Sequence, residues 1–300
     1  MSSVVLFPGQ GSQVVGMGLD AYERSPAAKA IFDDADSLLG FSISSLCFHG
    51  PEDELTDTIN QQPALFTTSV AYWHAMLEKG WQVPEFMAGH SLGEFSALVA
   101  AGSISFADGL HLVRKRGELM KKADTIAPGG MAALLAVDIE TGNEICSSSS
   151  ETTGFPVQVA NDNCPGQIVI SGNEAALQEA MILAKEKGAR KVVRLPISIA
   201  AHSVLMTPIA EIFAEAIDNS VIQTPQVPVV GNVSASLLRT VDDVKDELKH
   251  QLTSSVAWTG SIRYLLDQGV DTFVETGPGQ VLLGLVKRIN RQTKRIGFEV

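Results

Sequence analysis

Hydrophobic and polar positions along the chain alternate between a strand-like and a helix-like period. VVLF at 4–7 is a short apolar run closed by Pro8-Gly9 and reads as a strand. SPAAKAIFDDADSLL at 25–39 spaces its apolar residues at helical intervals behind a serine cap. PALFTTSVAYWHAMLEKG at 63–80 reads as a helix with a proline near its start and Gly80 at the C′ position. EFMAG at 85–89 then leads through a tight turn into GEFSALVAAG at 93–102, the next helix. Alternation of this kind predicts an α/β fold on a mostly parallel sheet.

The middle of the chain changes pattern. MAALLAV (131–137), FPVQVAND (155–162), GQIVISG (166–172) and KVVRLPI (191–197) are strand-like, whereas IETGNEICSSSS (139–150) and NEAALQEAMILAKEKGA (173–189) are helix-like. The order βαββαβ is ferredoxin-like. It predicts an inserted subdomain over 128–197, with 1–127 and 198–300 forming the main body. Beyond it the α/β pattern resumes: a helix near 203–219, the apolar run VPVVGNV (227–233), a helix near 241–253, strand-like TFVETGPG (272–279) and a helix near 280–291.

Composition narrows the class. The 300 residues are 45% hydrophobic and 19% charged, as expected of an ordered globular chain. The start lacks the basic n-region of a signal peptide, and no run of about 18 apolar residues exists to span a membrane. Cys47, Cys146 and Cys164 are odd in number and widely spaced, without a zinc or disulfide pattern, which fits a reducing cytoplasm. A net charge of −12 opposes binding to nucleic acid. Basic residues still cluster at Lys185, Lys187, Arg190, Lys191 and Arg194, and at Lys287, Arg288, Arg291, Lys294 and Arg295, as solvated helix faces and ends or as a contact for an acidic partner.

Candidate chemistry begins with Gly89-His90-Ser91-Leu92-Gly93, a G-x-S-x-G pattern in the strand–turn–helix context of a nucleophile elbow. Ser91 is there a nucleophile or an ordinary capping serine, and the Leu92 N–H at a helix start is placed to stabilise an oxyanion. His202, just after a strand-like segment, is the histidine best placed as a base, against a cap or core role; His90 reads as packing. Asp162 or a carbonyl would orient His202. In the helix-like ADGLHLVRKRGELMKK (107–122), a wheel at about 100° per residue puts Arg116 on the apolar side between Leu112 and Met120. A buried guanidinium needs an anionic partner, either a core carboxylate or the carboxylate of a substrate. FPGQGSQ (7–13) is a glycine loop after a strand, without the lysine of a phosphate-binding loop, and is suited to donating an oxyanion-hole N–H.

Taken in order, FPGQGSQ, QQPALF (61–66), GHSLGEFSALVAAG (89–102), RKRGELM (114–120), GGMAAL (129–134), NDNCPGQIVISG (161–172), AAHSVLM (200–206), VPVVGNV, QLTSSVAW (251–258) and ETGPGQVLLGL (275–285) resemble the malonyl-CoA:acyl-carrier-protein transacylase family. The resemblance covers nearly the whole chain. It implies an α/β-hydrolase-like large subdomain carrying a ferredoxin-like insert. It also implies Ser91 as acylated nucleophile, His202 as base, the Gln251 carbonyl as its orienter, and Gln10 and Leu92 amides as oxyanion hole. Arg116 would hold the malonyl carboxylate, with Gln62, Met131, Asn163 and Ala201 near the substrate. The implied reaction is ping-pong transfer from malonyl-CoA to the phosphopantetheine thiol of an acidic, transiently bound acyl carrier protein, without metal or bound cofactor, by a monomer.

Ile199-Ala200-Ala201-His202 matches neither the bulky aromatic found there with malonyl substrates nor the serine found with methylmalonyl, so a branched extender stays open. The same resemblance fits service to fatty-acid synthesis or to a polyketide synthase in trans. A hydrolase passing the acyl group to water and a catalytically idle docking partner are the rival functions.

Overall fold

A computed structural model describes residues 2–300. Its strands are β1 (Ser2–Phe7), β2 (Phe86–Gly89), β3 (Gly130–Leu135), β4 (Val157–Cys164), β5 (Gln167–Gly172), β6 (Lys191–Arg194), β7 (Val229–Val230), β8 (Leu237–Leu238), β9 (Val270–Glu275) and β10 (Lys294–Gly297). Six form one sheet in the order β10-β9-β1-β2-β7-β8, parallel throughout except for the β7–β8 hairpin. β1 lies inside this sheet, and its Val4–Phe7 run pairs with Phe86–Gly89 of β2. Successive side chains of a strand point to opposite faces. Val5 and Phe7 accordingly enter one core with Met87, and Val4 and Leu6 enter a second with Ala88. Helices cover both faces, which is why β1 is a continuous apolar run rather than an alternating one.

The other four strands form an antiparallel sheet in the order β4-β5-β3-β6, the ferredoxin-like arrangement, inserted between β2 and β7. Helices Ile139–Thr153 and Glu174–Glu186 close a separate core with Leu134, Ile168 and Ile170. From the opposite face of this sheet, Met131 and Val169 join the larger core of the main body. The two chains linking the sheet to the main body pair with each other: Gly129 N donates to Ser198 O at 3.2 Å, beside a bridge between Pro128 and Ile199.

One helix begins earlier than its sequence suggests. The proline at 63 marks no start: the helix runs Thr58–Glu78, capped by the Asp57 carboxylate on Ile59 N, and Pro63 lies inside it. An interior proline leaves the carbonyl four residues back without its donor. Here that carbonyl belongs to Ile59, and Arg114 Nη1 reaches it at 3.4 Å. Six further elements have no counterpart in the hydrophobic pattern: the short helices Leu19–Arg24, Ile43–His49 and Glu52–Thr56, helix Trp258–Asp267, the two-residue β8, and β10. Lys294 and Arg295 of the basic cluster belong to β10, an edge strand, rather than to a helix. Charged side chains on such an edge oppose pairing with another chain. Among the described residues no helix is long and apolar enough to cross a membrane.

Glu275 ends β9 in the core and accepts from Leu282 N at 3.1 Å and Leu283 N at 2.9 Å. These are orphan donors in the first turn of helix Val281–Ile289, whose N-cap Gln280 makes no side-chain cap. Burial, opposed by these N–H groups, pushes the Glu275 carboxyl up to about 7. The folded chain therefore holds a proton there that the unfolded chain releases near 4.5, and this group lowers stability as pH rises through that window. Urea unfolding at about pH 5 and about pH 7.5 is expected to show a smaller loss with rising pH in Glu275→Gln than in the wild type.

Candidate active site

Ser91 sits between the end of β2 and helix Gly93–Ala100, with φ at 51°. A non-glycine residue is rarely left-handed, and such strain persists only where neighbours impose it. The flanking glycines follow from close backbone approach. A Cβ on Gly89 would fall 2.0 Å from the Gly93 carbonyl, and one on Gly93 would fall 2.0 Å from the Phe7 carbonyl of β1. Asn232, just beyond β7, ties the turn down: its Oδ1 accepts from Ser91 N at 2.6 Å and its Nδ2 donates to Gly89 O at 2.7 Å.

His202 lies beyond the inserted sheet, itself left-handed at φ 58°. Its Nε2 is 2.8 Å from Ser91 Oγ, and its Nδ1 is 2.8 Å from the carbonyl of Gln251. Gln251 is the last residue of helix Val241–Gln251, where carbonyls lack helical partners and are free to accept from outside. The carbonyl holds the Nδ1 proton in place and leaves Nε2 as the acceptor facing the serine hydroxyl. Gln158 of β4 clasps the same loop, with Nε2 donating to His202 O at 3.2 Å and Thr253 O at 3.3 Å, and Oε1 accepting from Val204 N at 3.1 Å. Burial first, then the charge of Arg116, pushes the His202 imidazole down to about 3, so it is neutral at neutral pH.

Arg116 is fully buried in helix Phe106–Ile126. Its Nη1 donates to Gln62 Oε1 at 3.1 Å and meets Met120 Sδ at 3.4 Å. Its Nη2 donates to Gln251 Oε1 at 3.0 Å and Ser91 Oγ at 3.1 Å. Each of these acceptors is neutral. Among the described residues no carboxylate lies within ion-pair distance of Arg116, and its buried Nε has no partner. Burial lowers the guanidinium to about 10, opposed by the field of Glu94, and it keeps its charge. The internal ion pair that would make this arginine purely structural is not formed.

Ser91, His202, Gln251, Arg116 and Gln62 thus form one hydrogen-bonded cluster. Leu92 adjoins it in the turn. The Gln10 loop abuts the elbow, where a Cβ on Gly9 would fall 2.4 Å from His90 O, and Gln10 Nε2 donates to Gln61 Oε1 at 2.5 Å. Asn163 Oδ1 lies 2.9 Å from His90 Nε2, and His90 also packs edge-on against Trp258. Met131 and Ala201 are buried and make no side-chain hydrogen bond to the cluster. Asp162, the rival orienter, is elsewhere: its Oδ1 accepts from Thr259 Oγ1 at 2.7 Å. Among the described residues no group of three or more His, Cys, Asp and Glu side chains is disposed to hold a metal ion.

Sequence reasoning missed Glu94, Asn232 and Gln158. Glu94 is fully buried; its Oε1 accepts from Asn232 N at 2.8 Å and Nδ2 at 3.0 Å, and its Oε2 accepts from Gln251 Nε2. The signal that singled out Arg116, a charge within an apolar helical run, was present for Glu94 in GEFSALVAAG as well.

The elbow's steric demand has a measurable consequence. Gly93→Ala places a methyl against the Phe7 carbonyl and is expected to destabilise the fold by at least about 2 kcal/mol, read from urea unfolding.

Residues 4–297 match the acyl transferase domain family. Over 291 residues the chain is 50% identical to the malonyl CoA-acyl carrier protein transacylase of Bacillus subtilis, covering 97% of this chain and 91% of the relative. An acyl carrier protein S-malonyltransferase from Vibrio cholerae superposes with a TM-score of 0.96 at 38% identity, covering 100% of this chain and 97% of that one. A malonyl-transacylase solved in complex with a type II PKS acyl-carrier protein does so with a TM-score of 0.96 at 38% identity, covering 99% and 96%. With an α/β body, a ferredoxin-like insert and relatives of this identity over nearly its full length, the chain belongs to the malonyl-CoA:acyl-carrier-protein transacylase family of acyltransferases.

Proposed function

We propose that this chain moves a malonyl group from malonyl-CoA to the phosphopantetheine thiol of an acyl carrier protein through an acyl-Ser91 intermediate. The observation that carries this reading is Arg116: a buried cation with only neutral partners, 3.1 Å from Ser91 Oγ. An acyl group bearing its own carboxylate supplies the missing anion as its carbonyl reaches the serine. The names of the relatives and the carrier complex of one structural neighbour support the same donor and acceptor.

In this mechanism His202 Nε2 takes the Ser91 hydroxyl proton as Oγ bonds to the thioester carbonyl carbon. The C–S bond then breaks, and the proton passes to the departing CoA sulfur. In the second half the carrier's thiol gives its proton to His202, and its sulfur attacks the acyl-serine carbonyl. The C–O bond breaks and Ser91 recovers its proton. The Leu92 and Gln10 N–H groups are the proposed oxyanion donors. Neither donates a hydrogen bond among the described residues. A carboxylate on Arg116 also offsets the charge that depresses His202, so a malonyl group strengthens the base that acts on it. Met131, Asn163 and Ala201, all buried, complete the proposed acyl site, and Gln62 steadies Arg116. The subdomain boundaries proposed with this reading, 127/128 and 197/198, are supported by the pairing of the linking chains beside them.

Incubation with malonyl-CoA is expected to leave a malonyl adduct on Ser91, seen by intact mass and absent in Ser91→Ala. Holo-carrier then removes it as malonyl-carrier; free malonate released at one rate with or without holo-carrier would overturn the transferase reading in favour of hydrolysis. Arg116→Ala is expected to lower malonyl loading at least about 30-fold, from the ~2–5 kcal/mol cost of truncating a buried charge pair, while acetyl loading is kept. An unchanged malonyl preference in that variant would make Arg116 structural.

A further inference from the structure

Glu94 is a buried carboxylate that the mechanism above does not use. Every atom facing it at hydrogen-bond distance is an N–H donor: Asn232 N and Nδ2 on Oε1, and Gln251 Nε2 on Oε2. The orientations of these two amides are fixed from the other side by backbone groups that have no alternative role. Ser91 N only donates, so Asn232 turns Oδ1 towards it and Nδ2 towards Glu94. Ser91 O only accepts, so Gln251 turns Nε2 towards it at 3.0 Å, which leaves Gln251 Oε1 facing Arg116 Nη2. One carboxylate thus closes both branches, one ending on the Ser91 amide and the other on the guanidinium. Burial first, then the neighbouring Glu247, raises the Glu94 carboxyl well above its ordinary value, against the lowering by these donors and Arg116. The geometry still favours the carboxylate, because a proton placed on it would find no acceptor among its partners.

We propose that Glu94 is the positioning residue that anchors the Gln251 amide in this orientation, and that the anchored amide aims the Arg116 guanidinium at the acyl site. The inference rests on the reading that Ser91 is acylated and that Arg116 receives the acyl carboxylate. The reason for a carboxylate, rather than any polar group, is the count of donors. An amide at position 94 has one oxygen. With that oxygen kept on Asn232, its NH2 confronts the Gln251 NH2. Turning over would set the Gln251 oxygen against the Ser91 carbonyl and its NH2 against Arg116, so the amide is pushed from its seat and the guanidinium loses its 3.0 Å acceptor. The Asn232 branch, which holds the elbow, is left in place.

The test compares wild type, Glu94→Gln and Gln251→Met, each loaded with malonyl-CoA or acetyl-CoA and read by mass on Ser91. Glu94→Gln is expected to lose at least about tenfold more malonyl loading than acetyl loading, the scale of one charge-assisted hydrogen bond. Equal losses for the two acyl groups in Glu94→Gln would overturn the proposal. Gln251→Met keeps the main-chain carbonyl that holds His202 and removes only the amide. It is expected to show the same selective malonyl loss, and an unchanged malonyl-to-acetyl ratio in it decides against the proposal even if Glu94→Gln does not fold. A wild type that takes no malonyl adduct refutes the underlying reading instead, a distinct result.

Discussion

The site depends on one unbalanced charge. A guanidinium buried without a carboxylate in contact is costly, and the fold tolerates Arg116 by surrounding it with neutral acceptors: two side-chain amides, a thioether and a serine hydroxyl. Its field reaches both of the other ionisable groups at the centre, lowering the proton affinity of His202 and favouring the charged form of Glu94. The unfilled cation beside serine and imidazole is therefore a consequence of one placement, on the apolar face of helix Phe106–Ile126, and it reinforces the burial that keeps the imidazole neutral.

The second constraint is backbone geometry. The two central residues, Ser91 and His202, both sit in the left-handed region. Each is held there by a side-chain amide bonded to its own backbone, Asn232 for the serine and Gln158 for the histidine. The amides come from different sheets: Asn232 follows β7 of the parallel sheet, and Gln158 stands on β4 of the inserted one. Strain at the site is thus balanced by ordinary hydrogen bonds supplied from rigid elements.

Much of this was legible in the sequence because the deciding signals are local. The continuous apolar run of β1, the short apolar strands of the insert and the glycines around Ser91 each report a short-range requirement. Arg116 was legible because a helical wheel needs only one element. Pro63 misled because a proline at a first turn and one inside a helix look alike until the distant Arg114 is seen to fill the vacant bond. The helices of five to seven residues at Leu19, Ile43 and Glu52 are too short for a periodic signal. Asn232 and Gln158 stayed hidden for a different reason: Asn232 meets Glu94 across 138 positions, and Gln158 reaches His202 across 44. A hydrogen bond between such residues leaves no mark on periodicity.

The pairing of the linking chains near 128 and 199 places the seam of the inserted sheet three residues before His202, while Ser91 belongs wholly to the main body. His202 therefore stands just past that seam, on the same body as Ser91, and the insert reaches their 2.8 Å contact through Gln158 of β4, which donates to His202 O and accepts from Val204 N. One amide of the inserted sheet thus helps hold the geometry of a contact made wholly between residues of the other body.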